Sequence, residues 1–326
     1  LPSPQHPRSK KMKIGICLPT ETEAMAGGTA SGTDVLRLAR LAEDAGFDSV
    51  WIVDHFCYSA AAEMEALGAT APPDLVGKIY GAWECLTVCA ALARETQRME
   101  IGTLVINTGY RNPALLARIS ETIDELSAGR FTLGVGAGDF LTEHDAFGYP
   151  WERRVGRFEE ALQIIRPMLA GENVTFDGEF YETRDALNLP RGPRPDGLPL
   201  LIGVLGRGPR MKRLVAQYAD QWNCWLASGD SHAGAYIKIR DDMLAACEQH
   251  GRDPETLVRN VTPRISPTGL AAKSPDMKPL SGTAEEIAEA LHEFKDLGVS
   301  HISAWPHPNN EEGIVALARV LEHFRG

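Results

Sequence analysis

Nothing in this sequence is long and apolar enough to form a membrane-spanning helix, since no stretch reaches the roughly 18 apolar residues such a helix needs. A basic excess is lacking too. With 33 Lys and Arg against 44 Asp and Glu, the net charge of −11 argues against non-specific nucleic-acid binding, which needs a basic footprint, and reads as a solubilising surface. Cysteines are few (Cys17, Cys57, Cys85, Cys89, Cys224 and Cys247) and none form a C-x-x-C pair. They fit reduced thiols in a cytoplasmic protein better than a disulfide framework or a zinc site. Cys85 and Cys89, four apart in a helical stretch, are expected as small buried core residues. The proline-rich segment 1–11 has no apolar centre for a signal peptide and reads as a loose tail ahead of a single domain over 12–326. The G-x-S-x-G, P-loop and H-E-x-x-H patterns are missing, which counts against serine hydrolases, P-loop nucleotide triphosphatases and zinc peptidases. His55, His144 and His307 could be imagined as metal ligands, but the first strand end, Leu18-Pro19-Thr20, offers none, and no metal is expected.

Hydrophobic patterning supplies what is present. Strand-like runs are expected at Lys13–Pro19, Ser49–His55, Glu100–Thr108, Phe131–Gly138, Leu200–Gly206, Gln221–Leu226, Val258–Pro267 and His301–Trp305. Helical spacing is expected at Thr33–Gly46, Ala82–Arg98, Pro113–Ser127, Glu152–Leu169, Pro209–Tyr218, Ala233–His250, Ala284–Leu297 and Glu312–Phe324. Eight strands alternating with eight helices predict a parallel sheet closed into an α/β (β/α)8 TIM barrel. Continuous apolar strands such as SVWIV suit a sheet covered on both faces. Two insertions interrupt the alternation, one after strand 2 (Cys57–Gly81) and one before strand 5 (Glu172–Pro199), both expected over the barrel. The first is a candidate lid on the C-terminal face, and Val174–Tyr181 in the second is expected to be a hairpin turning at Asp177-Gly178.

Barrel enzymes keep their chemistry at the C-terminal strand ends. After strand 2 stand Asp54 and His55, a carboxylate beside an imidazole suited to proton transfer or to a polar ring edge. After strand 3, Asn112 and Pro113 read as N-cap and first residue of a helix, while Arg111 is open to anion binding, helix capping or pairing with an acid. After strand 4, Gly134, Gly136 and Gly138 allow close backbone approach, and Asp139, Glu143 and His144 follow. After strand 5, Gly203–Gly208 with Arg207 forms a candidate phosphate cradle or a tight turn. Near strand 8, Trp305 and His307 are candidate site residues, whereas His301 reads as an ordinary edge residue.

Four stretches carry a resemblance: LAEDAGFDSVWIVDHF (41–56), IGTLVINTGYRNPALLAR (101–118), ETIDELSAGRFTLGVGAGDFLTEHDAFGYPW (121–151) and RLVAQYADQWN (213–223). From Met12 to about Asn223 the sequence resembles the luciferase-like monooxygenase superfamily, in particular its coenzyme F420-dependent branch. The resemblance implies a cofactor across the C-terminal mouth, with His55 as acid or base and Asp54 touching the ring region. It implies a non-prolyl cis peptide at Leu104-Val105 against the ring. Cofactor or substrate contacts are implied from Asn107, Ala137, Gly138 and Glu143, with Asp139 standing where some relatives have Glu and taken here as catalytic. It also implies a phosphate turn at Gly203, Val204, Leu205, Gly206 and Arg207, although Val204-Leu205 departs from the richer glycine run of many relatives. The implied activity is hydride transfer between the deazaflavin C5 and a small organic substrate. The alternatives are an FMN-dependent monooxygenase using reduced flavin and oxygen, with a flavin reductase as partner, and a barrel that binds ligand without turnover. A homodimer formed through helices beside strand 3 is implied as well. The small and apolar residues of 57–81 suggest an apolar or moderately sized substrate.

Overall fold

The computed structural model describes residues 11–25, 28–66, 70–204, 208–267 and 277–326. Its centre is a ring of eight parallel strands: β1 Lys13–Cys17, β2 Ser49–Ile52, β3 Glu100–Thr103, β4 Phe131–Gly136, β5 Leu200–Gly203, β6 Gln221–Trp225, β7 Val258–Thr262 and β8 His301–Pro306. Each pairs with the next, and β8 returns to β1 with Lys13 opposite His301 and Ile16 opposite Ala304, so the sheet closes. The helices following the strands are α1 Gly32–Asp44, α2 Cys85–Glu95, α3 Pro113–Leu126, α4 Arg154–Leu169, α5 Pro209–Tyr218, α6 Ala233–Gln249, α7 Ala284–Asp296 and α8 Glu311–Arg325. This is the (β/α)8 barrel expected from the alternation.

Local chemistry sets the helix starts. Ser31 and Asp34 form a reciprocal capping box on α1, and Thr283 and Glu286 form another on α7. Asn112 accepts from the backbone N–H of Ala114 and Leu115, with Pro113 opening α3 as anticipated. Cys85 and Cys89 are both buried.

Strand residues alternate between two cores. Ile14, Ile16, Val50, Ile52, Ile101, Leu133, Val135, Leu200, Ile202, Val261 and Ile302 pack outward into the layer shared with the helices. Cys17, Trp51, Leu104 and Leu201 fill the barrel with Val105, Trp225 and Trp305 against them. Gly102 makes room for this filling, since a Cβ there would sit 2.3 Å from the Trp51 ring. Below lies a polar layer in which Asn223 Nδ2 donates to Asn260 Oδ1 and Thr262 Oγ1, each at 2.8 Å, and Ser303 donates to Asn260 Oδ1.

His301 belongs to this interior and is not an edge residue. It is 2% exposed, its Nε2 lies 2.7 Å from Ser49 Oγ, and Ser49 accepts from Trp51 Nε1. An indole N–H can only donate, which leaves the Ser49 proton for a neutral imidazole. Burial and the nearby Lys13 hold His301 down at about 3, against a small opposing effect of Asp48. It therefore stays uncharged at neutral pH.

The long third run is broken. After Thr103 the Leu104-Val105 bond is cis, and Ile106–Asn107 resumes pairing with β4 as a separate short strand. The first insertion does fold at the C-terminal face: Cys57–Tyr58 pairs antiparallel with Tyr80–Gly81 and encloses a short helix, Ala60–Ala66. The second insertion departs from expectation in span and place. Val174–Asp177 pairs with Glu182–Ala186, so the turn spans 178–181, because Glu160 of α4 accepts the backbone N–H of Glu179, Phe180 and Tyr181. Phe180 lies against Arg153 and Arg157, which holds the hairpin on the first turns of α4.

Candidate active site

His55, just past β2, is the most engaged titratable group at the mouth. Its ring stacks on Phe140 at 4.8 Å and packs on Tyr58 at 5.0 Å, leaving its side chain 19% exposed. Nδ1 lies 3.1 Å from Glu143 Oε2, and the same carboxylate accepts from Phe56 N at 2.7 Å and Tyr110 Oη at 2.9 Å. Glu143 stands on a short helix, Leu141–Phe147, that strand-period reading passes over because it is only two turns long. That helix is tied to the first insertion, since Glu63 accepts from Leu141 N, Thr142 N and Thr142 Oγ1.

These contacts orient His55. The Nδ1 proton is directed at Glu143, so Nε2 is the nitrogen left for a ligand, and among the described residues it has no hydrogen-bond partner. Burial disfavours the imidazolium, but the bond to Glu143 and the fields of Asp139, Glu21 and Glu143 outweigh it and raise His55 to about 9. At neutral pH the group is thus a charged proton donor. In a Glu143→Gln variant, His55 is expected to titrate at least about one unit lower, followed through its imidazole NMR resonances. A titration still centred near 9 would remove Glu143 from this role.

Asp139 sits on the rim. Water reaches it, yet protein crowds it; this partial burial, together with Glu143 and Glu63, moves its carboxyl above the ordinary range while the His55 charge opposes the shift. Tyr58 continues the wall by donating to Glu21 Oε1 at 2.9 Å, and burial beside Glu21 keeps the phenol protonated.

Other anticipated residues lie behind this surface. Asp54 is buried, takes a two-pronged contact from Arg111 with both distances 2.7 Å, and accepts the Asn107 N–H at 3.0 Å. Arg111 also reaches Glu84 at 2.7 Å, which settles its choice in favour of acids. Asn107 is buried: its Oδ1 accepts from Gly109 N, and its Nδ2 lies 3.0 Å from His144 Nε2. His144 Nδ1 faces the Pro150 carbonyl at 3.1 Å, and burial keeps the imidazole neutral, so Nε2 accepts from Asn107.

The glycines serve the protein's own packing. A Cβ at Gly138 would sit 2.4 Å from Asn107 Nδ2. Cβ atoms at Gly136 and Gly203 would stand 2.9 and 3.0 Å from the Val105 methyls, so the two strand ends are cut back to let Val105 bulge between them. Leu104 is buried, and Val105, Ala137 and Val204 are half-buried apolar residues just past the ends of β3, β4 and β5, an apolar ledge at the same end of the barrel as His55. Of the candidate phosphate turn, Leu205, Gly206 and Arg207 lie outside the described residues.

Several mouth residues escape the motif reading: Tyr58, Phe140, Glu21, Trp225 and Arg264. Trp225 and Trp305 meet edge to face at 5.2 Å. Trp225 was accessible in principle, as it continues the inward set of Gln221 and Asn223. Glu21 and Phe140 sit on loops, Tyr58 on a two-residue strand and Arg264 just beyond a proline, so no period reaches them.

An apolar ledge at the same end of the barrel as one protonated imidazole, with aromatic walls, suits a planar heteroaromatic group that exchanges hydride while the protein moves a proton. Among the described residues, no group of three His, Cys, Asp or Glu is placed to hold a metal ion, and no helix is long and apolar enough to cross a membrane.

Comparison with known proteins agrees with this architecture. The chain is 34% identical over 181 residues to 5,10-methylenetetrahydromethanopterin reductase of Archaeoglobus fulgidus, a match covering 56% of this chain and 46% of the relative. It is 36% identical over 200 residues to F420-dependent glucose-6-phosphate dehydrogenase of Beutenbergia cavernae, covering 60% and 53%. The match thus spans about half the length of these curated relatives. Among solved structures, an F420-dependent secondary alcohol dehydrogenase in complex with an F420-acetone adduct superposes with a TM-score of 0.74 at 20% identity, over 97% of this chain and all of that one. The F420-dependent tetrahydromethanopterin reductase of Methanopyrus kandleri gives 0.73 at 18%, over 96% and 99%. At those identities the structural likeness establishes the fold. The family model described as luciferase-like monooxygenase matches residues 12–277, and the chain belongs to that family.

Proposed function

We propose that residues 12–326 form one catalytic domain, a cytoplasmic coenzyme F420-dependent oxidoreductase acting on a small organic carbonyl or alcohol. One observation carries the reading: His55, past the end of β2 and charged, is fixed through Nδ1 by Glu143 and keeps Nε2 without a hydrogen-bond partner among the described residues. The F420-dependent activity named for the Beutenbergia cavernae relative supports it over the FMN alternative. When bound, F420 supplies or accepts a hydride at C5. Val105, Ala137 and Val204 would support its ring, and Gly203 would approach its phosphate. His55 Nε2 gives a proton to the substrate oxygen as a carbonyl becomes an alcohol and takes it back in the reverse direction. Glu143 holds the imidazole in place, and Phe140 and Tyr58 limit water around it. Asp139, in the field of His55, stabilises the charged form.

The test is oxidation of reduced F420 by a panel of ketones and aldehydes in oxygen-free buffer, followed at the deazaflavin absorbance. Turnover without oxygen supports the reading. Turnover only with reduced FMN and oxygen overturns it and would call for a flavin reductase partner. The exposed Leu115 on α3, together with Leu187 and Leu189, accords with pairing as a homodimer beside strand 3. Sedimentation at micromolar concentration should show a dimer, and a monomer there would contradict the pairing.

A further inference from the structure

Arg264 is a half-buried arginine that, among the described residues, has no acid partner. It follows Pro263 at the end of β7, opposite Trp305, and is half-buried. Only its Nε is engaged, donating to the Ala227 carbonyl at 2.9 Å, while the guanidinium stands 5.9 Å from the Trp305 ring centre. Among the described residues it forms no ion pair. Arg154 and Arg157 likewise make a single Nε bond to a carbonyl, but several other covered arginines are held more fully. Arg111 is held by Asp54 and Glu84, Arg166 by Asp220 and Arg259 by Glu255. Arg130 and Arg252 each reach several main-chain carbonyls. Burial pulls the Arg264 guanidinium below its usual range, with Glu21 and Cys17 opposing. Glu21, whose field reaches Arg264, is already engaged by Tyr58.

Position gives this cation a use. Tyr58 packs on His55 and bonds Glu21, whose field reaches both His55 and Arg264, while Arg264 stands on Trp305, which meets Trp225. A planar guanidinium with free terminal amino groups matches a carboxylate or phosphate through paired, charge-assisted hydrogen bonds. Aromatic walls suit the body of a ligand spanning the gap.

We propose that Arg264 recognises an oxyanion on the substrate, so that the compound presented to His55 carries a carboxylate or phosphate in addition to its reacting carbonyl or alcohol. This rests on the oxidoreductase reading and replaces the apolar substrate suggested by segment 57–81 with an anionic one.

The test is ligand binding to the protein without cofactor, by calorimetry and tryptophan fluorescence at physiological ionic strength. The probes are benzoate, phenyl phosphate and neutral benzamide, with F420 affinity measured separately. The wild-type protein is expected to favour at least one anion over benzamide by about tenfold or more. The two anions identify which oxyanion is preferred. Arg264→Met should abolish the preference and Arg264→Lys should retain part of it, with F420 affinity unchanged in both. Arg264→Gln keeps a donor for Ala227 and serves if the Met variant misfolds. Absence of an anion preference, its survival in Arg264→Met and Arg264→Gln, or an equal loss of F420 affinity would each overturn the proposal. Failure of F420 to bind while the anion preference persists would instead count against the cofactor reading alone.

Discussion

Replacing His55 with asparagine is expected to lower kcat for carbonyl reduction by about 100- to 10,000-fold while F420 affinity changes little. Asparagine is the informative choice because its side-chain amide can still donate to Glu143, which preserves the buried contacts that organise the short helix Leu141–Phe147. What it removes is the ionisable nitrogen left for a ligand. The wild-type pH profile carries a further sign. His55 is raised to about 9, so its donor form prevails below that value, and the reduction rate should fall as pH rises through it. The asparagine variant should lose this falling limb. A variant with wild-type kcat would show that another group supplies the proton.

The second large effect concerns stability. Arg111→Met leaves Asp54, buried with a 1% exposed side chain, without the guanidinium that holds both its oxygens. Stranding a buried charge in this way costs about 3–5 kcal/mol, read from urea denaturation midpoints. The double replacement Asp54→Asn with Arg111→Met should recover part of the loss, because no unpaired charge then remains buried. Since Asp54 also accepts the Asn107 N–H just after Val105, the single variant should also loosen the ledge and weaken F420 binding. A cost below about 1 kcal/mol would mean that the pair is open to water and does not brace the mouth.

The sequence was legible wherever a period ran long enough. The buried face of α3 and the apolar strands set the barrel, and the resemblance pointed to the cis Leu104-Val105 bond. Short-range chemistry read less well, for identifiable reasons. The glycines after β4 and in β5 do signal close approach, but the approaching atoms are Val105 and Asn107, which no sequence pattern names. Glu143 appears from sequence as a ligand contact, whereas it lies beneath His55, because the two-turn helix carrying it faces inward. The hairpin turn moved from Asp177-Gly178 to residues 178–181 because a carboxylate on another element, Glu160, collects three backbone donors there. Arg264 escaped because Pro263 interrupts its strand and its meaning depends on which partners it lacks.

Cofactor choice decides the reaction, since a deazaflavin carries hydride whereas reduced FMN opens oxygen chemistry. The most direct measurement is a side-by-side equilibrium titration of the protein with F420 and FMN, followed by fluorescence at moderate salt. Saturable, tight F420 binding with FMN much weaker is the predicted result. Preferential binding of FMN would contradict it.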